Sequence, residues 1–96
     1  MLVLVTYDVN TETPEGKKRL RRVAKTCTKY GVRVQNSVFE CDVDASQEKL
    51  LRNEILSLIN EKTDSIRFYN LGDHYTKKIE HYGAKPMFDQ EGPLVF

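Results

Sequence analysis

No stretch of this 96-residue chain approaches the ~18 consecutive apolar residues that a membrane-spanning helix needs. Its apolar opening, Met1–Val5, lacks a basic lead, is too short for a signal segment and runs straight into Asp8. These absences exclude a membrane protein and point to a soluble, cytoplasmic one. Cysteine is scarce as well. Cys27 and Cys41 form no CxxC pair, and each sits in an apolar pattern, so they read as buried free thiols in a reducing compartment. Neither has a neighbouring cue for a lowered pKa, which excludes thiolate catalysis. His74 and His81 lie on separate segments, without the paired spacing of a tetrahedral zinc site, and read as solvated or hydrogen-bonded side chains. Repeats, low-complexity tracts and linkers are missing too, so residues 1–96 form a single domain. A chain of this size buries only roughly 60–65% of its unfolded surface, and it gains by pairing with a copy of itself.

Acidic residues are missing from one place in particular. Residues 17–33 hold Lys17, Lys18, Arg19, Arg21, Arg22, Lys25, Lys29 and Arg33 without a single Asp or Glu, a local charge of +8. The rest of the chain carries 7 bases and 14 acids, so the net charge of +1 hides a segregated distribution. A basic strip of this kind suits a polyanion. It also suits the solvated outer face of an amphipathic helix, but such faces usually carry interspersed Glu for i,i+4 pairing, and none is present here.

The elements follow from pattern and punctuation. Met1–Asp8 reads as a central strand. Thr13 is a fitting N-cap, Pro14 fits the first helical position, and Glu15 suits the positive end of the helix dipole. Leu20, Val23, Ala24, Cys27 and Tyr30 then recur at helical spacing, and Gly31 closes the helix. "VRVQN" and "SVFECDV" alternate with a period of two, with Val32 and Val34 on one face and Val38 and Glu40 set against Phe39 and Cys41. They read as two strands joined at Asn36–Ser37, with one bent strand as the alternative. Asp44 and Gln47 resemble a capping box opening a second helix, with Leu51, Ile55, Leu58 and Ile59 as its stripe. "SIRFYNL" is a further strand. The order β-α-β-β-α-β gives an α+β, ferredoxin-like arrangement with both helices on one face of an antiparallel sheet. Residues 76–96 form a tail in which Lys77–Tyr82 and Leu94–Phe96 read as short extra strands.

This fold hosts many functions, so the residues have to decide. Reading of RNA by stacked sheet aromatics is disfavoured, because "SVFECDV" lacks the Arg/Lys-Gly-aromatic signature. Asp8 closes the first strand and could ligate Mg²⁺, yet one carboxylate is a poor magnesium site. Its plainer role is an Asx-type turn, in which it would accept from the amides of Asn10 or Thr11.

"LVTYDV" at the end of the first strand, the basic helix running into "GVRVQNSVFEC", and "IRFYNLG" together resemble the CRISPR-associated protein 2 family over almost the whole chain. The tail "GAKP…GPLVF" is similar to its I-C subtype branch. The resemblance implies a homodimer whose C-terminal strand packs on the partner's sheet. It implies a place in CRISPR adaptation beside the CRISPR-associated protein 1 integrase, holding duplex DNA that becomes a spacer. It also implies a metal-dependent endonuclease, using Mg²⁺ or Mn²⁺ to cut double-stranded DNA or single-stranded RNA. The family's site residues fall on Tyr7, Asp8, Arg33, Ser37 and Phe39, with two copies of Asp8 meeting across the dimer axis to hold the metal. Arg33 would add electrostatic stabilisation, and Phe39 would stack on a base or belong to the core. Lys17, Lys18, Arg19, Arg21, Arg22, Lys25 and Arg33 would grip phosphates. A non-catalytic DNA-binding adaptor of the integrase is the competing function.

Overall fold

A computed structural model describes residues 1–84. The order is β1 (Leu2–Asp8), α1 (Pro14–Thr28), β2 (Val32–Gln35), β3 (Val38–Asp42), α2 (Ala45–Leu58) and β4 (Ser65–Gly72). The strands form one antiparallel sheet in the order β2-β3-β1-β4, the ferredoxin-like arrangement expected from the sequence. Both helix starts are capped as read. Thr13 Oγ1 accepts from the Gly16 amide at 3.0 Å, and Asp44 and Gln47 form a reciprocal capping box.

Side-chain alternation sorts the sheet into two faces. Val3, Val5 and Tyr7 of β1 join Phe39 and Cys41 of β3 on the covered face, where Val23 and Cys27 of α1 and Leu51 and Ile55 of α2 close the core. Phe68 and Ile66 of β4, opposite Val5 and Tyr7, extend that layer. The other face carries Leu4, Thr6 and Asp8 of β1, flanked by Val38 and Glu40 of β3 and by Arg67 and Tyr69 of β4. Neither helix covers it. Leu4 and Val38 are half-buried there, and Tyr69 is exposed.

Cys27 and Cys41 are buried free thiols, as expected, and burial pushes both up to about 12. The β2–β3 hairpin turns through residues 36–37, which removes the bent-strand alternative. Burial alternates along β2 as expected, with Val32 and Val34 half-buried and Arg33 and Gln35 exposed, although the pairing register against β3 shifts between Arg33 and Gln35. Gly31 follows the first helix for a different reason than expected. It has no positive φ, but a Cβ there would lie 2.2 Å from the Glu40 carbonyl oxygen and 2.6 Å from Cys41 Sγ. Close approach to β3 excludes a side chain.

The expected strand at Lys77–Tyr82 is not formed. Gly72, at φ 77°, turns the chain, and Thr76–Lys78 is a short 3-10 helix. Tyr75 Oη donates to Asp42 Oδ2 at 2.9 Å, and Lys78 Nζ donates to the Leu71 carbonyl at 3.0 Å. Side-chain tethers hold this segment in place of ladder bonds, consistent with a sequence that offers only Ile79 and Tyr82 as large apolar residues. The strand read at Leu94–Phe96 lies outside the described residues.

Candidate active site and nucleic-acid face

Asp8 is the last residue of β1, opposite Ser65 in the ladder, and its side chain is exposed. Among the described residues its carboxylate makes no hydrogen bond or ion pair. The turn work that an Asx reading would give it is done by other groups. Asn10 Oδ1 accepts from the Glu12 amide at 2.9 Å, and the Asn10 amide donates to Asp64 Oδ1 at 3.0 Å. Asp8 is therefore a strand-end carboxylate with no structural task among the described residues.

Tyr7 faces the other way. Its ring stacks near Phe39, with centroids 6.2 Å apart, and its amide donates to the Ser37 carbonyl at 3.1 Å. Arg33 lies across from Phe39 in the ladder, with its guanidinium carbon 5.1 Å from that ring's centroid and Nη2 3.5 Å from Tyr7 Oη. Burial raises the Tyr7 phenol above its ordinary value, and the nearby Arg33 partly offsets this. The fold thus gathers Tyr7, Arg33, Ser37 and Phe39 around the β2–β3 turn but sets Asp8 on the opposite face of the sheet. Phe39 is fully buried. A ring enclosed by the core cannot stack on a base, so of the two roles read for it packing is the one it fills. Its work is to support Tyr7 and the Arg33 cation.

The basic strip divides in the same manner. Arg19 Nε donates to Asp64 Oδ2 at 2.9 Å, with the Arg19 side chain 21% exposed and Asp64 fully enclosed. Arg19 is thereby removed from the phosphate-facing set. Its acidic partner comes from 45 positions away, so the local scarcity of acid concealed it. Lys29 pairs with Glu54 at 3.3 Å, and Arg33 is held against Phe39 and Tyr7. Lys17, Lys18, Arg21, Arg22 and Lys25 remain exposed along α1, with no ion pair among the described residues. Five unpaired bases on one helix make a face suited to phosphates.

Asp64 is the functional-site candidate that pattern reading missed. It is one of two buried polar residues in the described fold. Besides Arg19, its oxygens accept from the amides of Asn10 and Asn60 and from Thr63 Oγ1. Burial alone would raise its pKa, but the bond from Arg19 and the two amides outweigh this and lower it to about 2. In the sequence it is merely an Asp before a strand.

Among the described residues no group of three His, Cys, Asp or Glu could hold a metal ion. One chain offers Asp8 alone at this place. An unengaged carboxylate is a hard oxygen donor of the type Mg²⁺ and Mn²⁺ prefer, so the chemistry of this single donor fits such an ion but does not complete a site for it.

Comparison with known proteins gives one answer. Residues 1–79 match the family described as CRISPR associated protein Cas2. The chain is 59% identical over 96 residues to the CRISPR-associated endonuclease Cas2 of Halalkalibacterium halodurans, covering 100% of both chains. It is 59% identical over 95 residues to the CRISPR-associated endoribonuclease Cas2 of Chlorobaculum tepidum, covering 99% of each. The crystal structure of Streptococcus pyogenes Cas2 superposes with a TM-score of 0.76 at 58% identity, covering 86% of this chain and 100% of that one.

Proposed function

The chain belongs to the CRISPR-associated protein Cas2 family, a nuclease family by the names of its relatives, and from that premise we propose a homodimeric, metal-dependent endonuclease of CRISPR adaptation. The observation that carries this reading is the free Asp8 carboxylate at the end of the uncovered sheet face. A buried or turn-bound aspartate would have been occupied. Two copies of the uncovered face, brought together about a two-fold axis near Asp8, would bury Leu4 and Val38 and set two carboxylates at one place. Like charges so placed repel unless a cation lies between them, so the pair would hold Mg²⁺ or Mn²⁺. Such an ion supplies a water of lowered pKa and neutralises charge on a phosphate oxygen. Asp8 from each subunit contributes charge and orientation. The five free bases of α1 bind and align the phosphate backbone without strong base preference, because lysines and arginines spread on a helix face suit phosphates rather than base edges. Duplex DNA or single-stranded RNA fits this face equally, and a cytoplasmic adaptation complex with the CRISPR-associated protein 1 integrase is the setting we infer.

The adaptor function has its own support. Among the described residues no group of three His, Cys, Asp or Glu gathers to hold a metal and supply a general base, while the basic face is complete in one chain. One experiment separates the two. Labelled duplex DNA and single-stranded RNA are incubated with wild type and Asp8→Asn, in Mg²⁺ and in chelator. The nuclease reading expects Mg²⁺-dependent cleavage that Asp8→Asn abolishes, with the dimer still folded. Equal cleavage by both proteins, or none by wild type, leaves the adaptor.

A further inference from the structure

We propose that Asp64, through Arg19, is the positioning residue of the Asp8 site: its enclosed carboxylate fixes the segment that carries Asp8 without itself touching substrate. The inference rests on the reading of Asp8 given above. Asp64 directly precedes Ser65, the ladder partner of Asp8, and it accepts the amide of Asn10, two residues beyond Asp8. It therefore grips both strands at the point where Asp8 emerges. Between them Val9 is buried in the core, so the chain on the far side of Asp8 is held by packing as well.

The first helix closes the arrangement. A Cβ at Gly16 would lie 1.8 Å from the Asn10 carbonyl oxygen, so the first turn of α1 rests directly on the loop that follows Asp8. One turn further along, Arg19 reaches the same carboxylate through Nε at 2.9 Å and Nη2 at 3.3 Å. Asp64 thus joins the β1–α1 loop, the first helix, the α2–β4 loop and the start of β4. An ordinary turn does not require this. Asn10 and Asn60 already cap their own loops through their side chains, accepting from the amides of Glu12 and Lys62. Burying a charged pair carries a desolvation penalty, which five directed hydrogen bonds offset. What those bonds add, and apolar packing would not, is direction.

An Asn at this position would be nearly isosteric but would present NH₂ to a ring of donors, so Asp64→Asn loosens the grip while keeping the shape. Arg19→Lys keeps the charge and loses the two-pronged contact. Three readouts are taken on the full chain: the Mg²⁺ concentration giving half-maximal cleavage, duplex affinity by anisotropy in chelator, and amide hydrogen exchange in metal-free protein. Asp64→Asn is expected to raise the Mg²⁺ requirement about tenfold or more, the scale on which metal affinity falls when a group that orients a ligand is lost. Exchange should accelerate at Asp8–Asn10 and not at the β2–β3 turn, with duplex affinity unchanged. Arg19→Lys should fall between, and it carries the test if Asp64→Asn is unfolded at the assay temperature.

A folded variant with the wild-type Mg²⁺ requirement overturns the proposal, as does exchange that accelerates uniformly across the sheet. Failure of the underlying reading looks different: wild type would not cut, or Asp8→Asn would itself cut at the wild-type rate, and either result overturns the positioning role along with it. Asp8→Asn inactive with Asp64→Asn unaltered sinks the positioning role alone.

Discussion

Asp8 ends β1 and Asp64 immediately precedes the neighbouring β4 at the same end of the sheet, yet the two live in opposite environments. Asp64 is enclosed and holds a guanidinium, two backbone amides and a hydroxyl. Asp8 is exposed and, among the described residues, binds nothing. The two faces of the sheet repeat the contrast. The covered face is packed by two helices, and no buried side-chain polar atom in the described fold lacks a partner. The other face ends in a free carboxylate beside half-buried apolar residues. One aspartate is bound into the architecture, and its neighbour is left without a contact among the described residues.

The largest expected effect falls on the free member. Asp8→Asn should lower Mg²⁺-dependent cleavage by about 100-fold or more, the scale of removing one charge-stabilising group. Its melting temperature without metal should stay near wild type, because no folded-state contact is lost. Cleavage rates and thermal melts on the same preparations check both halves. A variant that is both inactive and unfolded would erase the contrast between the two carboxylates.

The reverse is expected for Arg19→Ala. It leaves Asp64 buried without its counter-charge, at a cost of about 3–5 kcal/mol. For a domain of this size that lowers the melting temperature by roughly 12 °C or more. An exposed phosphate-binding arginine would cost almost nothing, so a melt shifted by under a few degrees would return Arg19 to the basic face.

This pair marks the limit of what the sequence made legible. Local signals transferred well. Thr13–Pro14, the Asp44/Gln47 box and the two-residue alternation around Phe39 all depend on neighbours in the chain, and all appear where the pattern put them. Asp8 was visible because a charge ending an apolar strand is conspicuous. The Arg19–Asp64 pair was not, because its members lie 45 positions apart and each looks ordinary in its own surroundings. The tail misled for a related reason. Lys77–Tyr82 contains residues compatible with a strand, but Gly72 turns the backbone and Tyr75 is drawn to Asp42, neither of which local propensity contains.

The basic face provides a smaller test of the same division. If Lys17, Lys18, Arg21, Arg22 and Lys25 are the working set, log affinity for duplex should fall with log salt at a slope of about −4 to −5 per chain. Reversing Lys18 and Arg22 to Glu removes two of those contacts. Affinity should drop across all duplex sequences, and the slope should shrink by about 2. Binding measured between low and moderate salt decides it, and an affinity indifferent to salt would refute the phosphate-facing role.

The smallest effect appears only in acid. The Asp64 carboxyl lies below its ordinary value of 3.8, at about 2, so the folded state binds its proton less readily than the unfolded chain does. The sign follows from linkage: a depressed carboxyl contributes stability that is whole above about pH 4 and drains away as pH falls toward 2. Glu40, on the uncovered face, acts in the other direction. Burial raises its carboxyl above 4.5, so its ionisation opposes folding and the penalty eases as the solution is acidified toward that range. Stability should therefore hold or rise slightly from neutrality to mild acid and then fall steeply below pH 4. Glu40→Gln should flatten the first limb and leave the second. The Asp64 carboxyl carbon, followed by NMR, should titrate near pH 2, and a midpoint at the ordinary 3.8 would mean that the Arg19 contact does not hold in solution.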